Sequence, residues 1–358
     1  MGKYRKYLEF GALIVLAAAI LWLFGRNLDW AKVKFALRSS DWRLILLASV
    51  IVILGYLWRA FRWQSFLKPL TEASLREVWV ATCVGFGAVL LIGRTGEVVR
   101  PVVLPMRDPR VKPAASFVTI MIERVYDMMT VMLIFAVNLL WLEPAAGSAA
   151  DFSLARKLGF VLVGALVVTI GILVWFERRS TNVIQWLEKR ITPRSRLMTR
   201  LKAGLLSMLE QLGIALKVLS DPRLLAISIF WSLMLWGFVA FGNLMVCRAF
   251  GIPFGISQVF FVLGWSMVGS AVPTPGGAAG AFHAATAAAL ILLGVNRELA
   301  FATAIILHLV DFAPAALFGL YYFLRGEVNL TRLRALIRVK AVEHAVEDEP
   351  VTAPGAAS

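Results

Sequence analysis

Three charged side chains follow an apolar stretch near the end of the first quarter of the chain. Residues 79–92 read WVATCVGFGAVLLI, and residues 93–104 read GRTGEVVRPVVL. Arg94, Glu97 and Arg100 are spaced three apart, so on a helix they share one face. Arginine binds phosphate through paired hydrogen bonds, and Glu97 would orient or release the arginines. The spacing indicates a cationic phosphate site, with snorkelling arginines and a structural salt bridge as the alternative.

A second charged group lies inside an otherwise apolar stretch. Glu123, Arg124 and Asp127 are separated by three or four residues, so a helix brings them to one side. An ionisable residue within a membrane span costs roughly 2.5–3.5 kcal/mol, so such a cluster normally lines a cavity. We predict a substrate or proton pathway here, and a structural ion-pair cluster is the alternative.

The second half of the chain offers weaker candidates. His283 follows the segment PGGAAG, and His308 and Asp311 are three residues apart. Gly276 and Gly277 would expose backbone N–H groups to an anion. The Gly-Lys-Ser/Thr of a phosphate-binding loop is missing, and the three histidines of the chain do not form a zinc-binding pattern. We therefore predict no metal, no ATP and no other cofactor.

Composition sets the fold class. The 358 residues are 59% hydrophobic and 16% charged, whereas soluble domains have about 45–50% apolar and about 25% charged residues. The pattern predicts an all-α, polytopic helical membrane protein with about six full spans. The stretches long enough to cross about 30 Å of hydrocarbon are 8–25, 44–61, 114–142, 158–176, 224–249 and 299–324.

Two further apolar stretches are interrupted. Residues 78–93 end in Gly-Arg-Thr-Gly, and residues 257–294 are split by VPTPGGAAG at 272–280. Proline does not continue a helix, and the freed backbone groups need protein or water around them. Each stretch therefore predicts a broken or re-entrant element, and Pro101 is expected to end a helix at Arg100. The residues assigned to these breaks are Gly93, Gly96, Pro101, Pro273 and Pro275.

Charge placement predicts the orientation. The formal charge of +15 is concentrated at 177–223 and after residue 325, as the positive-inside rule requires of cytoplasmic segments, so no nucleic-acid partner is predicted. Residues 143–155 contain no Lys or Arg and are expected outside. Both termini are then cytoplasmic, the first broken element opens to the inner side, and the second opens to the outer side.

This arrangement predicts an inverted repeat. The first repeat covers about 1–142 and the second about 158–325, with a cytoplasmic amphipathic region at 177–223. The segment ERVYD aligns with LHLVD and places Asp127 over Asp311. Glu123 and His308 each lie about 15 Å along their spans, near the bilayer centre. Interrupted helices that meet at the midplane of an inverted repeat are typical of transporters.

The remaining segments have simpler interpretations. Residues 26–43 are expected outside although they are basic, and LDWAKVKFAL predicts a short amphipathic helix at the interface. A surface helix pair punctuated by Pro193 is expected at 181–220. Residues 326–358 predict a basic stretch and a disordered tail. Cys83 and Cys247 lie in apolar runs and are expected to be packing residues.

Four motifs together resemble the lysylphosphatidylglycerol synthase transmembrane-region family, also called the flippase-like domain, which includes the membrane half of the multiple peptide resistance factor. They are WRAFRWQSFL, GRTGEVVRPVVL, ERVYD and PTPGGAAGAFH, and the resemblance covers roughly residues 5–325. It implies a bacterial inner-membrane protein that moves or presents lipids between leaflets. The implied functional positions are Arg94, Gly96, Glu97, Arg100, Glu123, Arg124, Asp127, Pro275, Gly276 and Gly277.

The chain departs from that family in two ways. An extra alanine enters the glycine motif, and His283 stands near the place of an acidic residue, so headgroup preference and proton coupling can differ. The soluble aminoacyl-transferase domain is not recognised after residue 325, so we do not expect this chain to make lysyl-lipid.

Three hypotheses follow. The first is a lipid flippase that binds an anionic headgroup and works without ATP. The second is a membrane-embedded enzyme acting on a lipid-linked phosphate or sugar, in which Glu97, Glu123 and Asp127 supply acid or base. The third is a non-transporting partner of a cytosolic or membrane lipid-modifying enzyme, docked through 177–223. The lipid, the energy source and the oligomeric state do not follow from the sequence.

Overall fold

The computed structural model describes residues 28–68, 70–141, 149–191, 196–216, 222–270, 272 and 275–326. Within these ranges the chain forms eleven α-helices and one 3-10 helix, which confirms the all-α prediction. The α-helices are α1 Trp30–Ser39, α2 Trp42–Leu67, α3 Leu75–Ile92, α4 Val99–Arg107, α5 Pro113–Trp141, α6 Ala149–Arg190, α7 Arg196–Leu216, α8 Pro222–Ala249, α9 Ile256–Ser270, α10 Pro275–Leu292 and α11 Arg297–Leu324.

Several predicted features lie wholly or partly outside the described residues. They are the first span at 8–25, residues 143–148 of the loop expected outside, Pro193 of the expected helix pair, the break residue Pro273, and all but the first residue of the tail at 326–358.

Several helices have the length and composition of membrane spans. In the described part of the chain, α2, the segment Ala226–Ala249 of α8, and α11 are long and apolar enough to cross a bilayer. Helix α9 and the segment Ala278–Leu292 of α10 are apolar but shorter. Leu46 and Leu317 remain 67% and 68% exposed, as expected of surfaces that face lipid. The architecture is that of a polytopic membrane protein.

The first predicted break is present, but its helices are divided differently from the prediction. Helix α3 ends at Ile92, a 3-10 helix runs over Gly93–Val98, and α4 begins at Val99. Pro101 therefore lies in the first turn of α4, and the prediction that it ends a helix was wrong. Proline is tolerated in a first turn because backbone N–H groups there have no partner within the helix.

Close packing explains one glycine of this break. A side chain at Gly96 would collide with the backbone carbonyl carbon of Ala88 in α3. Only glycine lets the 3-10 helix fold back against α3 in this way.

The second break is shorter than the predicted 272–280. Helix α9 ends at Ser270 and α10 begins at Pro275. Proline is favourable at that first position because its fixed backbone angle suits a helix. Gly276 and Gly277 therefore lie in the first turn of α10. Ala278 has φ 63°, a left-handed conformation that is uncommon for a residue with a side chain.

Two amphipathic regions are helical as predicted. Helix α1 begins after Asp29, whose Oδ1 accepts hydrogen bonds from the backbone N–H groups of Ala31 and Lys32 at 3.0 and 3.3 Å. Val33 is buried and Phe35 is 73% exposed. The helix pair expected at 181–220 corresponds to the end of α6 and to α7.

Helix α6 differs from the prediction in its length. It continues without interruption from the predicted span at 158–176 to Arg190, so the amphipathic region does not begin with a separate helix. The first turns of that region therefore continue the helix of the predicted span.

Close helix contacts hold the core around α3 and α11. A side chain at Gly319 would lie 2.6 Å from the backbone oxygen of Cys83, so the two helices pack backbone to backbone. Cys83 and Cys247 are buried and unbonded to one another, which confirms their packing role.

The link between α4 and α5 is fixed by an ion pair. Arg110 donates from Nε and Nη2 to the two carboxylate oxygens of Asp108, at 2.9 and 2.8 Å. These bonds lower the pKa of Asp108 to about 2, because they favour the charged carboxylate. The backbone N–H of Ser74 also donates to Asp108, at 3.3 Å. The link therefore positions the start of α5 against the segment that precedes α3.

Candidate functional site

Six charged side chains meet between α2, α4 and α5, and we call them the buried charge cluster. They are Arg59, Arg62, Arg100, Glu123, Arg124 and Asp127. Arg124 has the greatest side-chain exposure of the six, at 28%. The cluster therefore concentrates charge in the protein interior, where each charged group needs a partner.

Glu123 lies at the centre of this cluster and is fully buried. Its Oε1 is 3.5 Å from Arg59 Nη1 and 3.5 Å from Arg62 Nη2. Arg124 Nη2 donates to the same oxygen at 3.0 Å, and Arg100 Nη1 also donates to it. One carboxylate oxygen thus contacts four guanidinium groups.

Asp127 forms the second centre, one helical turn further along α5. Arg62 Nη1 lies 2.7 Å from its Oδ1, and Arg59 Nη1 and Arg124 Nη2 each lie 3.3 Å from its Oδ2. The prediction that Glu123, Arg124 and Asp127 meet on one side of a helix is therefore confirmed as a matter of geometry.

Aromatic rings contact three of the guanidinium groups. The guanidinium carbon of Arg100 lies 4.2 Å from the ring centre of Trp63, and that of Arg59 lies 4.8 Å from the ring centre of Phe86. The corresponding distance from Arg62 to Phe66 is 5.9 Å. The negative face of an aromatic ring attracts a cation, so these rings stabilise arginines that water does not reach.

The cluster contains more positive than negative charge. Four guanidinium groups face two carboxylates, and the remaining hydrogen-bond donors are not all used. Among the described residues, Nε and Nη2 of both Arg62 and Arg100 have no hydrogen-bond partner. A buried donor without a partner costs about 1–3 kcal/mol. This excess distinguishes the cluster from a balanced structural ion-pair network.

A cavity of about 130 Å³ lies beside the cluster and between the two halves of the chain. The first half supplies the polar side chains Tyr56, Arg59, Glu97, Arg124 and Asp127. The second half supplies side chains from α8, α9, α10 and α11, namely Leu235, Trp236, Val239, Leu263, Ser266, Met267, Ser270, Ala278, Phe282, Asp311 and Phe312. The first half therefore contributes most of the charged side chains of the cavity, and the second half contributes mainly apolar side chains together with two serines and Asp311.

One hydrogen bond joins the halves at this cavity. The hydroxyl of Tyr56 in α2 donates to the backbone oxygen of Asp311 in α11, at 2.5 Å. The side-chain Oδ1 of Asp311 is buried and has no hydrogen-bond partner among the described residues. Asp311 therefore adds a carboxyl group that the buried charge cluster does not neutralise by direct contact.

The structure brings together only part of the predicted site. Glu97, Arg124, Asp127 and Asp311 line the cavity, whereas Arg100 and Glu123 belong to the buried charge cluster. Arg94 lies in the 3-10 helix, and its side chain is outside the described part of the structure. The functional roles of all these residues stay predictions.

The two histidines occupy a neighbouring aromatic cluster. The rings of His283 and His308 are 4.9 Å apart, and His308 lies 4.9 Å from Phe282. Neither histidine is among the described residues that line the cavity. Gly276 and Gly277 lie in the first turn of α10, and their surroundings are outside the described part of the structure. In the described ranges, no group of three or more His, Cys, Asp or Glu residues could hold a metal ion.

The sequence interpretation missed two members of the site. Arg59 and Arg62 lie in the motif WRAFRWQSFL, at the end of the span predicted for 44–61. Two arginines three residues apart in an apolar helix carry the same energetic signal as Glu123 and Asp127. That signal was sufficient to identify them.

Comparison with known proteins gives one extended match. A family model described as the lysylphosphatidylglycerol synthase TM region matches residues 10–319, which is most of the chain. The matched model represents the membrane region, and no catalytic synthase domain was detected. No curated protein matches the chain.

Proposed function

The chain belongs to the lysylphosphatidylglycerol synthase transmembrane-region family of multi-pass integral membrane proteins, which is linked to lipid modification or translocation. From this premise we propose that the protein moves an anionic, phosphate-bearing lipid between leaflets. The headgroup enters the cavity between the two halves. The acyl chains stay in the bilayer. The two interrupted elements open the cavity first to one leaflet and then to the other, without ATP.

The observation that carries the proposal is the arrangement of charge around the cavity. Arg59 and Arg124 belong to both the cavity wall and the buried charge cluster. Planar guanidinium groups suit phosphate oxygens, and burial strengthens their attraction to an anion. The apolar wall opposite, with Trp236 and Phe282, suits the glycerol and upper acyl region of a lipid.

The same geometry disfavours the enzyme hypothesis. Glu123 is enclosed, contacts four arginines and is not among the described residues that line the cavity, so it is not placed to exchange a proton with a substrate there. Glu97 and Asp127 do line the cavity, but Asp127 is also paired with arginines. Chemical change of a lipid by the purified protein would favour an enzyme instead.

A proteoliposome assay tests the proposal. Full-length protein is reconstituted into phosphatidylcholine vesicles that contain a small fraction of fluorescent phosphatidylglycerol, and a membrane-impermeant quencher reports the accessible leaflet. We expect the protein to bring the inner-leaflet lipid to the outer leaflet. Arg124→Gln should slow this exchange about ten-fold, because it removes a partly exposed guanidinium group.

The matched control is Arg43→Gln. Arg43 is exposed at the start of α2, so its loss should leave the exchange rate unchanged. A protein that moves no anionic lipid tested, although it reconstitutes as a folded monodisperse sample, would contradict the proposal. Equal effects of the two substitutions would contradict the role of Arg124.

A further inference from the structure

The carboxyl group of Asp311 lines the cavity, and its Oδ1 has no hydrogen-bond partner among the described residues. This oxygen is buried, and the residue lies in the middle of α11 and faces the same cavity as Arg59. An isolated carboxylate in a low-dielectric interior is costly, so such a group exchanges its proton readily when the local charge changes.

The charges around the cavity depend on whether this proton is present. The buried charge cluster holds four arginines with Glu123 and Asp127, and the cavity wall adds a third described carboxylate, Glu97, beside Arg124. An ionised Asp311 balances the fourth arginine. A protonated Asp311 leaves one positive charge uncompensated at the cavity. An anionic headgroup therefore binds more favourably to the protonated form.

The charge at the cavity changes when Asp311 gains or loses a proton, and the neighbouring groups are as follows. Helix α2 presents Tyr56, whose hydroxyl donates to the backbone oxygen of Asp311, and Arg59, which lines the same cavity. Cys83 in α3 lies near Tyr56. On α11 itself, His308 precedes Asp311 by three residues, and its ring lies 4.9 Å from that of His283 in α10. Across the cavity lie Glu97, Arg124 and Asp127. The described lining residues from α8 and α9 are apolar or serine, so neither helix adds a titratable group there.

We propose that Asp311 takes up a proton when an anionic lipid headgroup binds in the cavity, so that headgroup binding and protonation are linked. Linkage is reciprocal: the lipid favours the protonated carboxyl, and protonation favours the lipid. A proton gradient across the membrane would then bias headgroup loading towards the acidic side. This inference rests on the proposed function and adds the coupled uptake of a proton.

Calorimetry on the full-length protein in detergent micelles tests the linkage without a transport assay. The probes are dihexanoyl phosphatidylglycerol and dihexanoyl phosphatidylcholine, each titrated in two buffers of different ionisation enthalpy. We expect phosphatidylglycerol to bind with uptake of up to one proton per protein. Its Kd should rise by up to about ten-fold per pH unit where Asp311 titrates, because the ionised form repels the headgroup.

Two variants sharpen the result. Asp311→Asn resembles the protonated carboxyl in shape and charge, so it should fold, bind phosphatidylglycerol without proton uptake, and show no pH dependence of Kd. Glu298→Gln is the matched control, because Glu298 lies on the same helix about 20 Å away, and it should behave as the wild type.

The outcomes separate the two ideas. Tight phosphatidylglycerol binding by the wild type with no proton uptake and a constant Kd overturns the role of Asp311 and leaves lipid translocation standing. Proton uptake that persists in Asp311→Asn overturns the assignment to this residue. Phosphatidylglycerol binding no tighter than phosphatidylcholine binding overturns the anionic-headgroup proposal, and the linkage with it.

Discussion

Glu123 connects the arginines that α2, α4 and α5 bring into the interior. Its Oε1 is within 3.5 Å of guanidinium nitrogens of Arg59, Arg62, Arg100 and Arg124. Without this carboxylate, the described part of the cluster would keep a single carboxylate, that of Asp127. Arg100 would also lose the side-chain ion pair that it forms in the described structure. The charge balance of the interior therefore depends strongly on one residue.

We expect Glu123→Gln to destabilise the protein by about 3–5 kcal/mol, because breaking a buried ion pair leaves uncompensated charge. Thermal unfolding of the purified protein in detergent measures this as a large fall in Tm. Glu298→Gln serves as the comparison and should change stability by less than about 0.5 kcal/mol. Similar Tm values for both variants would show that the cluster contributes little to folding.

The sequence predicted some, but not all, of the charged residues in the buried charge cluster. Intramembrane charge identified Glu123, Arg124 and Asp127 because an ionisable residue in a span needs a reason to be there. The same reasoning applies to Arg59 and Arg62, although they were first seen only as part of a motif. Which arginine faces the cavity and which is enclosed depends on helix rotation and packing, which spacing within one helix does not determine.

At the scale of elements, the two breaks rest on different physical causes. The first needs a glycine at residue 96, because the 3-10 helix packs directly on the backbone of α3 at Ala88. The second places Pro275 at the start of α10, where proline is favourable. Proline and glycine therefore predicted where the helices break. They did not predict that Pro101 lies inside a new helix, because that depends on the turn that precedes it.

We expect Gly96→Ala to destabilise the protein by about 1–3 kcal/mol, since the added methyl group collides with backbone that cannot move independently. The same substitution should impair lipid exchange, because Glu97 is carried into the cavity wall by this turn. Tm in detergent and the proteoliposome exchange rate measure the two effects.

Gly237→Ala is the matched control for this prediction. A side chain at Gly237 in α8 would meet no atom within 4 Å, and alanine favours a helix over glycine by about 0.5–1 kcal/mol. We therefore expect this variant to be as stable as the wild type or slightly more stable. Equal destabilisation by both variants would mean that the close approach at Gly96 is not required.

At the scale of the whole molecule, the cavity is a property of both halves together. Asp127 in α5 and Asp311 in α11, which the sequence comparison of ERVYD with LHLVD aligned, line the same cavity. The inverted repeat itself stays a prediction. The cavity itself was not predictable in detail, because it depends on side chains from α8 and α9 that carry no charge or motif.

The position of α9 allows a test of the cavity that leaves every charge in place. Met267 points into the cavity, whereas the next residue, Val268, is 61% exposed on the outer surface of the same helix. We expect Met267→Trp to reduce lipid exchange at least about ten-fold, because the larger side chain fills space that the headgroup needs. Val268→Trp adds a similar bulk on the lipid-facing side, where an indole is well tolerated, so its exchange rate should match the wild type.

Both variants should retain the Tm of the wild type to within a few degrees, which separates obstruction from misfolding. If Met267→Trp exchanges lipid at the normal rate, the headgroup does not pass through the cavity between the halves, and the route has to lie on the outer surface of the helices.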